Sequence, residues 1–235
     1  MGERSIMIKV AQCWDDGVAT DIRLADIFRK YEAKATFNLC PGLIKQDETI
    51  MPHWLDPASR ESSFRGFKAG RVGWKDLVKV YGDFKVASHC MNHETAGRVP
   101  LSDFIRGAVD ARKMLEDIFG RECPGFAWPC GCCPEDAVKA IRDAGFRYGR
   151  TTLNIEGDAS KFTEPLCLAA NCHFLDRDFW KKFDAVKKTD GTFYFWGHSY
   201  EMLDSEGLWG QLEGKIAALS ADPEVEWIDV IDIVS

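Results

Sequence analysis

A mostly apolar run, Ile6-Met7-Ile8-Lys9-Val10-Ala11-Gln12-Cys13-Trp14, ends in two adjacent aspartates and a glycine, Asp15-Asp16-Gly17. The run reads as a buried strand, and the carboxylates come where that strand must stop. Like charges side by side at a strand end repel, so each needs a counter-charge or one must take up a proton. A divalent cation meets that need. Strand-like and helix-like segments then alternate through the rest of the chain. That alternation points to an α/β architecture with parallel strands.

Thr20 is placed to cap a first helix whose apolar positions Leu24, Ile27, Phe28 and Tyr31 follow helical spacing. Ala35–Leu39 is a second strand, closed by Pro41-Gly42, and a long irregular stretch from Gln46 to Arg71 follows. Stretches this long inside a compact domain are commonly lids or binding loops. A short helix is expected over Trp74–Val80, a strand over Phe84–Ser88 and a strong helix over Leu101–Phe119 with Gly120 at its end. Further strands are expected at Gly125–Trp128, Phe146–Arg150 and Thr192–Trp196, with a helix between Pro134 and Gly145. Asp176 reads as a helix cap, and a helix over Gly207–Ser220 and a strand over Trp227–Val234 complete the chain.

This count predicts a barrel or distorted barrel rather than an open sheet. Asp15-Asp16, His89, Trp128-Pro129, Arg150 and His198 each fall at, or just beyond, the C-terminal end of an expected strand. In a parallel barrel those ends share one rim, where such folds carry their chemistry. Residues spread over nearly the whole chain would then converge on one pocket.

Composition narrows the function. A net charge of −7 argues against nucleic acid, which needs a basic face. No stretch reaches membrane-spanning length, and Met1-Gly2-Glu3-Arg4-Ser5 lacks the layout of a secretion signal, so a cytoplasmic location is expected. With no repeat or linker visible, residues 1–235 read as one domain. Nine cysteines, an odd number, do not argue for a disulfide framework in that setting. Cys123, Cys130, Cys132 and Cys133 crowd one segment, but their spacing matches no paired metal-binding arrangement. Self-association is left open.

His89-Cys90-Met91-Asn92-His93 has the i, i+4 spacing that brings two imidazoles to one side of a helical turn. With Asp16 from a neighbouring strand end they make a donor set suited to zinc or a similar transition ion, with a position open for water. Asp15 is then left to move protons. His198, at a rim facing a metal, reads as a general acid, although it also lies in an aromatic stretch where a purely structural histidine would fit.

These residues also carry a family resemblance. Cys13-Trp14-Asp15-Asp16-Gly17 resembles the Thr-Phe-Asp-Asp-Gly motif of the polysaccharide deacetylases, the NodB-homology group called carbohydrate esterase family 4. His89-Cys90-Met91-Asn92-His93 is similar to that family's His-Ser/Thr-x-x-His motif, with Cys90 in place of the hydroxyl residue. Ala127-Trp128-Pro129-Cys130-Gly131 resembles its Arg-x-Pro-x-Gly groove motif, and Trp196-Gly197-His198 its Leu-x-His motif. The resemblance implies a distorted (β/α) barrel and metal-dependent removal of an acyl group. Asp16, His89 and His93 would hold the metal, zinc first, with Co, Ni or Mn as alternatives. Asp15 would be the base that takes a proton from the activated water, and His198 would protonate the leaving amine. Trp128, Pro129, Cys130, Gly131 and Trp196 would line the substrate groove.

Departures from the pattern define what the structure must answer. The motif arginine that orients the base is Ala127 here, and Arg150 is the candidate replacement. His173 and Glu201 are further pocket candidates. A small N-acetylated sugar or oligosaccharide is the expected substrate, and an amidohydrolase acting on a non-sugar amide, cyclic imide or ureide is the alternative. A catalytically silent carbohydrate-binding domain, suggested by eight tryptophans, is the reading from another class.

Overall fold

The computed structural model describes residues 7–59, 61 and 63–235; the expected strand start at Ile6 lies outside them. Among these residues the chain runs β1 (Ile8–Asp15), α1 (Asp21–Lys30), β2 (Thr36–Leu39), β3 (His53–Trp54), β4 (Phe67–Lys68), α2 (Leu77–Tyr81), β5 (Lys85–Ser88) and α3 (Leu101–Phe119). It continues through β6 (Gly125–Ala127), α4 (Glu135–Asp143), β7 (Tyr148–Asn154), β8 (Leu168–Ala170), β9 (Cys172–His173), α5 (Phe179–Lys187), β10 (Thr192–Gly197), α6 (Glu206–Ala221) and β11 (Val225–Trp227). No helix among the described residues is long and apolar enough to cross a membrane.

The main sheet is parallel, in the order β8-β7-β6-β5-β2-β1-β10-β9, with β11 added beside the start of β1. Its two edge strands are consecutive in the chain. Only Asn171 separates β8 from β9, so the sheet curls until the backbone itself steps across the gap. Asn171 is buried there and stitches the seam. Its side-chain amide donates to Ile155 O (3.2 Å) and Gly157 O (2.5 Å), and its side-chain oxygen accepts from Tyr194 N (2.8 Å). The result is a nearly closed, distorted (β/α) barrel.

Strand parity explains why β1 ends as it does. Ile8, Val10 and Trp14 pack outward with Leu24 and Phe28 of α1. Ala11 and Cys13 point the other way, into an interior filled by Tyr148, Leu168, Ala170 and Tyr194. Asp15 continues this inward series at the top of the barrel.

Several expectations are corrected. Thr20 stands before α1 but does not cap it; its hydroxyl bonds Ser199 Oγ at 2.7 Å. The helix expected over Trp74–Val80 begins at Leu77. The stretch from Gln46 to Arg71 is not wholly irregular, because β3 and β4 pair antiparallel within it. Asp178, not Asp176, precedes α5. The last strand stops at Trp227, and Val230–Ile233 form a 3-10 turn whose Val230 and Ile233 pack with Ala11 and Cys13. β7 runs on to Asn154, so Arg150 lies within that strand rather than at its end.

Candidate active site

The rim gathers side chains from five strands. Asp15 closes β1, and Asp16 follows with φ +84°, a left-handed conformation costly for any residue but glycine. Without that reversal the two carboxylates would point to opposite faces. Two contacts hold it: Asp16 N donates to Asn38 O (3.0 Å), and Arg71 Nη1 donates to Asp16 O (2.5 Å).

Asp15 is buried, with 3% of its surface exposed. Asn38 Nδ2 donates to Oδ1 at 2.7 Å, and Arg150 Nη2 donates to Oδ2. His198 Nε2 is 3.7 Å and His89 Nε2 4.0 Å from the same Oδ2. Burial alone would push this carboxyl up, but the Arg150 charge, aided by the two histidines, holds it well below the usual carboxylate range. Arg150 is itself buried, its guanidinium 4.8 Å from the centre of the Trp196 ring. The ladder between β6 and β7 pairs Ala127 directly with Arg150. The cation absent from position 127 therefore stands one strand over, on the same rung.

His89, also buried, sits just past β5 with Nδ1 2.8 Å from Ala127 O. A carbonyl only accepts, so Nδ1 carries the proton and Nε2 presents a lone pair. Burial also pushes this imidazole down, favouring the neutral form. Its Nε2 lies 3.8 Å from Asp16 Oδ1. The His93 ring is 4.8 Å from that of His89, but no helix brings it there. Cys90 (φ +61°) and His93 (φ +60°) are both left-handed, making a tight turn braced by Glu94, which accepts from Asn92 N (2.8 Å) and Nδ2 (3.0 Å). Cys40 Sγ falls within 4.8 Å of the Asp16 and His89 donors, although its thiol donates to His89 O at 3.0 Å. One carboxylate and a lone-pair imidazole, with a second imidazole adjacent, fit a divalent transition metal.

A second cluster lies beside the first. His173 Nε2 is 2.9 Å from Glu201 Oε2, and His198 Nδ1 is 3.5 Å from the same oxygen. Leu175 N donates to His173 Nδ1 at 3.3 Å, so in neutral His173 the proton is on Nε2 and is donated to Glu201. Burial would raise the Glu201 carboxyl, but the two histidines outweigh it and hold it at about 2. Burial would likewise lower the His198 imidazole, but Glu201, then Asp15 and Asp16, raise it above its ordinary value.

A cavity of about 650 Å³ opens over these groups. Asp15, Asp16, His89, His93, Trp128, Cys130, Arg150, Trp196 and His198 border it; Pro129, Gly131, His173 and Glu201 do not. Trp128 is fully buried, its indole stacked on Phe104 and donating to Leu166 O at 2.7 Å, so its ring belongs to the core. Gly131 (φ +69°) is needed where it is, since a Cβ would come 2.2 Å from Thr152 Oγ1. The other wall is the stretch before Arg71, which contributes Phe64, Phe67, Lys68 and Arg71. Sequence reasoning missed these four, and also Asn38, Cys40 and Tyr200. Asn38 was within reach of the strand-end rule, but nothing periodic marks the others.

The family model for polysaccharide deacetylases matches residues 5–149, more than half of the chain. The chain belongs to the polysaccharide deacetylase family. That family comprises hydrolases of carbon–nitrogen bonds other than peptide bonds and is typically metal-dependent. Arg150 and His198 lie beyond the matched residues of this family member. Among solved structures it is similar to a "probable polysaccharide deacetylase" from Pseudomonas aeruginosa, with TM-score 0.67 and 11% identity over 97% of this chain and 89% of that one. It is similar as well to the peptidoglycan deacetylase PdaC of Bacillus subtilis, with TM-score 0.54 and 15% identity over 98% and 92% of the two chains. A Streptococcus pyogenes deacetylase, PplD, is matched at TM-score 0.47 and 18% identity over 60% of this chain, which spans 55% of that one. At such identities the likeness is one of fold. No curated protein matches the chain in sequence.

Proposed function

We propose that this family member removes an acyl group, acetyl in the first instance, from an N-acetylated sugar or small glycan. The observation that carries the reading is Asp15, ionised and clamped by Arg150 and Asn38, between His198 and the Asp16–His89 pair. What a divalent metal supplies when held by Asp16, His89 and His93 is Lewis acidity toward a carbonyl oxygen and a water. Asp15 takes the proton from the attacking water. Its low pKa makes it a weak base, so its value lies in position: Arg150 and Asn38 fix its rotamer and leave one edge facing the cavity.

His198 is the acid for the leaving nitrogen. Its Nε2 lies 3.7 Å from Asp15 Oδ2, and both residues border the same cavity, so acid and base are placed side by side to serve one reacting centre. Glu201, held by His173, favours the protonated imidazole. Trp196 and Tyr200 border the same cavity and offer faces for a sugar ring.

The test is acetate release from a panel of N-acetylhexosamines and their short oligomers by metal-loaded protein, with Asp15→Asn as control. Release that Asp15→Asn abolishes is the expected result. No release, with hydrolysis of a hydantoin or cyclic imide instead, would move the reading to a non-sugar amidohydrolase.

A further inference from the structure

The stretch between β2 and α2 brings a charge pattern to the cavity that the chain as a whole does not have. The protein carries a net charge of −7, yet its cavity is lined by three cations, Lys68, Arg71 and Arg150, against two carboxylates, Asp15 and Asp16. Arg150 is spent on Asp15. Lys68 and Arg71 are not consumed by the proposed chemistry, and a metal would add further positive charge. A low-dielectric cleft of one sign focuses its field on ligands of the other.

Both cations are held in place. Lys68 lies in β4, paired with His53 across the hairpin, and the adjacent Phe67 stacks on Trp54 with ring centres 3.5 Å apart. Arg71 exchanges two backbone hydrogen bonds with Ile50, at 2.8 and 3.0 Å. Arg65 pairs with Asp204 at 3.1 Å and Phe64 meets Tyr200 edge-on at 5.1 Å, which docks the hairpin onto the turn after His198. Arg71 uses Nη1 on Asp16 O, and no other hydrogen bond from its guanidinium occurs among the described residues. Lys68 Nζ has Glu61 at 3.1 Å, but that carboxylate is 65% exposed and does not border the cavity. Exposed pairs of this kind yield readily to a better partner.

We infer that the substrate carries an anionic group, a carboxylate or a phosphate, on the side facing this hairpin, and that Lys68 and Arg71 bind it. A guanidinium and an ammonium on one wall match either oxyanion, and Phe64 and Phe67 beside them exclude water. The inference rests on the deacetylase reading only for which bond reacts; the anion contact is a matter of binding.

The test compares N-acetylglucosamine, N-acetylmuramic acid and N-acetylglucosamine 6-phosphate, which differ in bearing no charge, a carboxylate or a phosphate. Acetate release gives kcat/KM, and quenching of tryptophan fluorescence gives Kd whether or not turnover occurs. One anionic compound should bind more tightly than the neutral one by about tenfold or more, with a correspondingly lower Kd, the scale of one charge-assisted hydrogen bond. The better of the two names the oxyanion. The advantage should shrink with added salt, fall in Lys68→Gln and vanish or reverse in Lys68→Glu, with Tm confirming that both variants fold. Anion-selective binding without acetate release would uphold this inference and sink the deacetylase reading. Acetate release with equal Kd for all three would do the opposite. A preference untouched by Lys68→Glu would also overturn the inference, since the anion would then be held elsewhere.

Discussion

Two clusters at the barrel rim use the same residue types and keep opposite proton accounts. In the first, His89 gives its Nδ1 proton to a backbone carbonyl and turns a bare Nε2 toward Asp16. In the second, His173 accepts a backbone N–H at Nδ1 and spends its Nε2 proton on Glu201. By distance alone either cluster could be taken for a metal site, since Asp16, His89 and Cys40 in the first and His173, His198 and Glu201 in the second each have donor atoms within 4.8 Å of one another. The backbone partner of each ring decides otherwise. A neutral imidazole with its proton on the facing nitrogen cannot ligate through that nitrogen, so the second cluster serves protons and the first serves a cation.

The most severe way to break this contrast is to remove one member of each cluster and measure metal affinity. Asp16→Ala is expected to weaken zinc binding by more than the roughly 100-fold upper range for losing an outer partner. His173→Phe should leave it within about threefold, because no ligand is removed. Competition with a chromophoric chelator measures both. Comparable losses in the two variants would mean that the tautomers assigned from the backbone contacts are wrong.

Arg150 comes next. It belongs to neither cluster, yet its charge keeps Asp15 ionised between them. Arg150→Met leaves a buried carboxylate without its counter-charge, at a cost of about 3–5 kcal/mol in urea unfolding. Adding Asp15→Asn to Arg150→Met should recover part of that loss, since the second change removes the stranded charge. Additive losses would show that the pair is not coupled. Turnover should fall in every one of these variants, and unchanged turnover in Arg150→Met would end its assignment as the support of the base.

How much of this was legible beforehand follows from where the signal lay. Asp15, His89 and His198 were singled out because apolar runs announce strands, and chemistry collects where parallel strands end; Arg150 was singled out by the same rule, although β7 runs four residues past it. Ala127 looked like a defect while the motif was read along one strand; Arg150 was already the candidate replacement, and the rung that joins Ala127 to Arg150 supplies the reason it can serve. The i, i+4 spacing of His89 and His93 suggested a helix, but left-handed residues bring the rings together instead. β8 and β9 have three and two residues, too few to show a period, so the seam at Asn171 had no signal. Lys68 and Arg71 reach the cavity through a hairpin docked by scattered contacts, Arg65 with Asp204 and Phe64 with Tyr200, which no local pattern encodes.

A smaller effect separates the clusters by pH. Glu201 raises His198, so Glu201→Gln should move the alkaline limb of kcat/KM to lower pH, because the acid then loses its proton sooner. The stability side has its own sign. The folded-state pKa of Glu201 is depressed to about 2, so its contribution is complete above its ordinary value and is lost as pH falls toward 2. The difference between wild type and Glu201→Gln in thermal unfolding should therefore narrow below about pH 4.5. A limb that stays in place would detach Glu201 from His198.

The finest test concerns the group that ties the clusters together. Asp21 is buried at the start of α1, where Ser199 Oγ donates to Oδ1 and Tyr81 OH to Oδ2 at 2.8 Å. Ser199 follows His198, while Asp16 adds a repulsion that, after burial, helps push the Asp21 carboxyl up to about 7. A raised folded-state pKa contributes stability that is full below the unfolded value and lost as pH climbs through about 7. Asp21→Asn keeps the shape but removes the titration and forfeits one hydrogen bond, since an amide nitrogen cannot accept. It should be less stable than wild type by about 1 kcal/mol at pH 5, with the gap closing or reversing by pH 8.5. Urea unfolding at the two pH values measures this, and a gap that does not change between them would mean that Asp21 keeps one charge state throughout and that the two clusters titrate without it.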